Sequence, residues 1–130
     1  TSTLIVLNNE TADRAIYILG DRDQMLRSLN NLFKNAIEAS VGRKKTKINV
    51  EVSYLDQQHV QILIQDYGYG ISDEAIPNIF KPNFTTKSSG TGLGLAFVKQ
   101  TVTGIGGKIE FVTKANSGTT FIITLPIYKG

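Results

Sequence analysis

The 130-residue sequence predicts an α+β domain, a two-layer α/β sandwich with helices packed on one face of a mixed, largely antiparallel sheet. Three observations point there. Short apolar runs with a period of two recur along the chain, while only two stretches show sustained helical steps of three and four residues. The order strands, helix, strands, connection, helix, strands also lacks the strict alternation of a parallel doubly wound sheet. One domain, 1–130, accommodates the whole chain, because a chain of this length can bury well over half of its unfolded surface.

Thr3 to Leu7 and Ala15 to Leu19 are β-prone runs separated by polar residues, which predicts two opening strands or one hairpin. The opening "TSTLIVLNNE" is strand-like from the start and reads as a domain cut from something longer. From Asp23 as N-cap, Leu26, Leu29, Phe33, Ala36 and Ile37 mark an amphipathic helix ending near Ser40 or Gly42. Gln24, Ser28, Asn31, Asn35 and Glu38 form its polar stripe, with the last two asparagines four apart. After the basic loop "VGRKKTK", Ile48, Val50, Val52 and Tyr54 alternate as a half-buried strand does.

Val60, Ile62 and Ile64 share one face of the next strand, and the same period turns Asp66 toward that apolar face. A carboxylate there needs a partner. Residues 71–90 hold the short helix-like piece "SDEAIPNIF" and few apolar anchors (Ile71, Ile76, Ile79, Phe80 and Phe84), so they read as a mobile lid. A second helix runs from about Gly92 through Leu95, Val98 and Val102 to the glycines 104, 106 and 107, a natural stop. "KIEFVT" and "TTFIITLPI" supply the final strands.

Composition narrows the function. The 14 Lys and Arg against 11 Asp and Glu leave a net charge of +3, too slight to announce nucleic acid but suited to an anionic ligand such as phosphate. The absence of cysteine excludes disulfides, thiolate metal sites and thiol nucleophiles. No apolar run approaches the length of a membrane-spanning helix, and the first residues lack the order of a signal peptide.

The common nucleotide motifs are missing. No G-x-x-x-x-G-K-[ST] occurs, and G-x-G-x-x-G fails because Leu95 stands at the third glycine. A helix that starts in "GTGLGL" nevertheless presents free N–H groups and a positive dipole end, with no Cβ to hold a phosphate away; the other reading is a tight turn with a flexible helix start. Asp66 is either a turn acid bonded to its own backbone or a pocket carboxylate that accepts from the exocyclic amine of adenine. Asn31 and Asn35 belong either to a solvated face or to a site, and two asparagines at mid-helix run against local preference. An amide oxygen is a hard neutral ligand suited to Mg²⁺, which draws further ligands from substrate phosphates.

Together "NNLFKNAIEAS", "DYGYGI", "IFKPNFTTK" with Phe80 and Phe84, "GTGLGL" and "GTTFIITLP" resemble the N box, first glycine box, F box, second glycine box and closing strand of sensor histidine kinases. The resemblance spans essentially the whole chain. It implies the Bergerat-type ATP-binding sandwich shared with gyrase, heat-shock chaperone and mismatch-repair ATPases. By that resemblance Asn35 holds Mg²⁺, Asp66 takes the adenine amine with Gly68, Gly70 and Ile71 on the adenine side, and Thr119 lies at the adenine end. Asn31 supports metal and phosphates, while Gly90, Gly92, Leu93 and Gly94 form the lid hinge and phosphate side. Glu38 departs from the pattern, since many histidine kinases carry Lys or His there; Lys87 or Lys34 would substitute. "NAIEAS" with "FTTK" is most similar to the nitrogen-regulatory type.

Gyrase-like relatives place a glutamate base at the position of Asn31, and an amide cannot take a proton from water. The resemblance therefore implies an intact γ-phosphate, delivered to a histidine on a separate dimerisation hairpin, with Asn31 and Lys87 as the candidates for a catalytic part. The chain's single histidine, His59, lies at a strand entrance and reads as a surface residue, so the acceptor lies elsewhere. Implied partners are that hairpin and a downstream response regulator, with ATP and Mg²⁺ as cofactors, a homodimeric parent, and neither nucleic acid nor membrane bound by this domain. The implied location is cytoplasmic, with anchoring of the parent in the inner membrane left open. Two alternatives stand beside this reading: an anti-sigma-type serine kinase of the same fold, and a non-enzymatic module using "GRKKTK" to bind nucleic acid or another acidic partner.

Overall fold

The computed structural model describes residues 3–11, 13, 15–42, 46–82 and 94–129. Five strands and two helices appear in the order β1 (Thr3–Asn9), α1 (Arg22–Glu38), β2 (Thr46–Tyr54), β3 (His59–Asp66), α2 (Gly94–Gly104), β4 (Lys108–Lys114) and β5 (Gly118–Pro126), with a short 3₁₀ turn at Ile76–Asn78. They build one mixed sheet in the order β1-β2-β3-β5-β4. β1 and β2 are parallel, as the intervening crossover through α1 requires, and the other three pairings are antiparallel.

Register gathers one face. Val50 faces Ile64, which faces Phe121, which faces Phe111; Val52, Ile62, Ile123 and Ile109 form the next row. Leu32 and Ala36 of α1 and Val98 and Val102 of α2 close over these rows in one buried cluster. Each fully buried aliphatic chain contributes about 1.5–3 kcal/mol, so this layer is what holds the helices to the sheet.

Three predicted details differ. Asp21, not Asp23, is the N-cap of α1: its Oδ1 accepts from the N–H groups of Asp23 and Gln24 at 2.9 and 3.1 Å, the two-donor geometry of a true cap. The buried seam is Met25, Ser28, Leu29, Leu32, Phe33 and Ala36, while Leu26 and Ile37 are exposed. Ser28 thus leaves the polar stripe for the core. Ala15–Leu19 forms no strand. Its alternation is real, with Ile16 and Ile18 packed on the core, but β1 pairs in parallel with β2 and leaves no hairpin partner; a bond from the Tyr128 N–H to the Tyr17 carbonyl at 2.7 Å ties the run down.

The connection after β3 is anchored where the sequence reads as loose. Ala75 and Ile79 are buried, Ile71 packs beside them, and Phe80 meets the Phe111 ring edge-to-face at 5.8 Å, so these four side chains anchor the segment to the core while residues 72–74 and 81–82 are exposed. Residues 83–90 lie outside the described residues, as do the predicted helix start at Gly92 and the lysines and arginine of 43–45. The stop of α2 is as read: Gly106 has φ +84°, and the bonds Gly106 N–H to Thr103 and Gly107 N–H to Val102 close a Schellman motif.

Candidate functional site

At the end of β3, strand parity does put Asp66 on the inner face, where it is only 4% exposed. Its Oδ1 accepts from the Gly68 N–H at 3.0 Å and from the Thr119 N–H at 3.1 Å. The first bond is the turn geometry of the plainer reading, and the second fastens the carboxylate across the sheet to β5. The turn reading of Asp66 is thus realised, and the carboxylate is in addition buried and oriented from across the sheet. Thr119 Oγ1 lies 2.9 Å from Thr113 Oγ1, and that hydroxyl accepts from the Ile71 N–H at 2.9 Å. This network joins β3, β4, β5 and Ile71 around a carboxylate whose orientation is set by backbone donors, as charge-assisted bonds to an acid are.

Gly68 and Gly70 have causes in the fold itself. A Cβ on Gly68 would lie 2.2 Å from the Ala39 carbonyl oxygen, and one on Gly70, at φ +80°, would lie 2.6 Å from the Lys114 carbonyl oxygen. The turn after Asp66 is wedged between the end of α1 and the β4–β5 hairpin, and bonds from Tyr69 N–H to Ala39 and from Asn116 N–H to Tyr69 hold it there.

Going back along α1 from Ala39, each four-residue step lands on the same polar face: Asn35, then Asn31. Both are half-buried. Asn31 Nδ2 donates to the carbonyl of Gly94, the first residue of α2, at 3.4 Å, a long bond that places the amide against the start of that helix. Asp66, Gly68, Gly70, Ile71 and Thr119 are thus brought together beside the end of α1, while Asn31 meets Gly94 at the start of α2 and Asn35 lies between them on the same helix face. Lys87, Gly90, Gly92, Leu93 and Phe84 lie outside the described residues. Lys34 is exposed, and Glu38 sits in the last turn of α1, where the helix dipole favours a cation instead.

No group of three acidic, histidine or cysteine side chains able to hold an ion occurs among the described residues. An amide oxygen at Asn35 suits a hard ion that takes its remaining ligands from phosphates and water. His59, half-buried at the start of β3, pairs through Nδ1 with Asp56 at 2.9 Å. The Gln58 N–H and then His59 hold the Asp56 carboxyl below its ordinary range. No described helix is long and apolar enough to cross a membrane.

Two residues escape the sequence reading. Thr113 was visible by parity with Ile109 and Phe111, which turn it inward beside Thr119. Arg27, one turn before Asn31, was hidden because the predicted polar stripe ran through Ser28; its guanidinium stacks 4.1 Å above the Phe97 ring.

This architecture, two helices on one face of a five-stranded mixed sheet, is the fold of solved histidine kinase catalytic domains. The chain superposes on the mycobacterial sensor histidine kinase MprB with a TM-score of 0.82 at 26% identity, covering 96% of this chain and 82% of that one. It is also similar to the catalytic domain of the histidine kinase ThkA, with a TM-score of 0.75 and 34% identity over 95% of this chain and 78% of that one. The sequence profile described as "Histidine kinase-, DNA gyrase B-, and HSP90-like ATPase" matches residues 20–129, and the chain belongs to that family. Within it the chain is a catalytic, ATP-binding domain of the histidine-kinase type. Among curated proteins it is 41% identical over 119 residues to the sensor histidine kinase ZraS of Salmonella typhimurium, covering 92% of this chain and 24% of that protein. The chain spans about a quarter of the length of such relatives.

Proposed function

We propose that the domain binds Mg-ATP along the path from Asp66 to Gly94 and donates the γ-phosphoryl group to a histidine on a separate dimerisation hairpin of the parent kinase, for relay to a response regulator. One observation carries this reading: a buried carboxylate oriented by two backbone N–H groups at one end of a helix face that bears Asn35 and Asn31 and touches the first residue of α2. The carboxylate accepts from the adenine 6-amino group, and guanine offers a carbonyl there instead. A hydrogen bond to a charged group contributes about 1.5–3 kcal/mol, enough to choose between the bases. Asn35 would supply an amide oxygen to Mg²⁺, whose chemistry there would be to offset phosphate charge. The start of α2 directs free N–H groups at the phosphates.

Asn31 separates transfer from hydrolysis. Its amide contacts Gly94 and cannot accept a proton from water, so the general-base contribution of about 10²–10⁴-fold is missing. Imidazole needs no such base, because it attacks with its own lone pair once positioned. The solved kinase ShkA in complex with AMPPNP, similar in fold, supports an ATP-type ligand for this architecture. In the parent kinase the domain faces the cytosolic ATP pool. The test is transfer from labelled ATP in the full-length parent. The expected product is acid-labile and base-stable phosphohistidine that Asn35→Ala abolishes. Rapid phosphate release by the domain alone, lost in Asn35→Ala, would replace the kinase with a hydrolase.

A further inference from the structure

We propose that Arg27 is an additional cation of the transfer site, receiving the γ-phosphoryl oxygens during transfer. The inference rests on the reading above, in which the nucleotide runs along α1 from Asp66 toward Asn31.

Position comes first. Ala39 abuts the turn after Asp66, and Asn35, Asn31 and Arg27 precede it at four-residue intervals, each rung about 6 Å along the axis. Arg27 is the next rung past Asn31, on the side away from the adenine end. α2 provides the matching step, since Asn31 meets Gly94 and Arg27 meets Phe97 one turn further on.

Orientation is the second argument. The guanidinium carbon lies 4.1 Å from the Phe97 ring centroid, a cation–π contact that holds the charge over the first turns of α2 without needing an acidic partner of its own. The planar fork of an arginine is pre-organised, so it loses less freedom per hydrogen bond to phosphate than a lysine ammonium would.

Surroundings are the third. Arg27 borders a shallow groove of about 480 Å³ formed with Phe80, Pro82, Phe97 and Lys99, and no acidic side chain among the described residues lines it. Lys99 is itself seated over the Phe80 ring at 5.0 Å, so two cations border the groove on the side where an attacking group would approach the end of the nucleotide.

In the step itself, the lone pair of the attacking imidazole nitrogen forms the N–P bond. The β,γ-bridging P–O bond breaks with its electron pair remaining on ADP, and the proton on the other ring nitrogen passes to solvent. Charge on the equatorial oxygens of the moving phosphoryl group is what the guanidinium meets.

The test uses the full-length kinase under single-turnover conditions with saturating Mg-ATP. Arg27→Gln is expected to slow formation of phosphohistidine by about 10²-fold, the scale of losing one transition-state donor, while ATP affinity and Tm hold. Arg27→Lys should recover part of the rate, and added guanidinium ion should restore Arg27→Ala. Undiminished transfer in Arg27→Gln would overturn the proposal. So would a slower rate matched by lost affinity or lost Tm and not restored by guanidinium. Wild-type kinase that forms no phosphohistidine would instead sink the underlying function, so the two failures are distinct.

Discussion

The two glycine clusters of the site answer to different masters. At Gly68 and Gly70 the neighbours are backbone carbonyls of Ala39 and Lys114, close enough that a methyl group has nowhere to go. At Gly94 a Cβ would sit 3.7 Å from Asn31 Cγ, an ordinary contact, in a helical residue. The fold requires the first pair and tolerates alanine at the second. The fold thus leaves the glycine at the start of α2 unexplained by packing, and the glycines after β3 let three elements converge behind Asp66. Gly118 belongs with the first pair, since its Cβ would meet the Asp66 carbonyl oxygen at 2.1 Å.

The largest effect should come from breaking that convergence. Gly68→Ala is expected to destabilise the domain by about 3 kcal/mol through overpacking against the end of α1, read as a fall in the urea midpoint. An unchanged midpoint would mean the turn has room that the carbonyl positions deny.

Gly94→Ala sharpens the contrast from the other side. Stability should stay within about 1 kcal/mol of wild type, since alanine is preferred to glycine in helices by that margin, while nucleotide affinity falls because a methyl group stands where the phosphates approach. Equal loss of stability in Gly94→Ala and Gly68→Ala would erase the distinction.

Much of this contrast was readable without coordinates. The parity of Val60, Ile62, Ile64 and Asp66 put the carboxylate on the inner face because strand geometry allows no other outcome. What periodicity could not supply was depth. Ser28 and Asn31 both read as polar on α1, yet Ser28 is wholly buried between layers and Arg27 takes its place on the outer stripe. The packing of Ala75, Ile79 and Phe80 was also hidden, since anchoring of a short irregular segment depends on partners such as Phe111 that are distant in sequence. Glycine composition announced a site at residues 68 and 70 but not the reason, which lies in carbonyls contributed by two other elements.

A smaller effect tests the core behind the site. The Ser28 hydroxyl is fully buried without a hydrogen-bond partner among the described residues. Ser28→Ala should be neutral or stabilising by up to about 1 kcal/mol, seen as an equal or higher Tm with unchanged ATP affinity. A marked loss of stability would show that this hydroxyl has a partner that matters.

The central claim is that Asp66, held by Gly68 and Thr119, selects adenine. Calorimetric titration of the domain with ATP and with GTP in the presence of Mg²⁺, repeated on Asp66→Asn, tests it most directly. ATP should bind the wild type and GTP far more weakly, and Asp66→Asn should lose about 10- to 10²-fold in ATP affinity, as removal of one hydrogen bond to a charged group implies. Equal affinities for the two nucleotides, or an Asp66→Asn variant that binds ATP like the wild type, would leave the carboxylate as a turn residue and contradict the account.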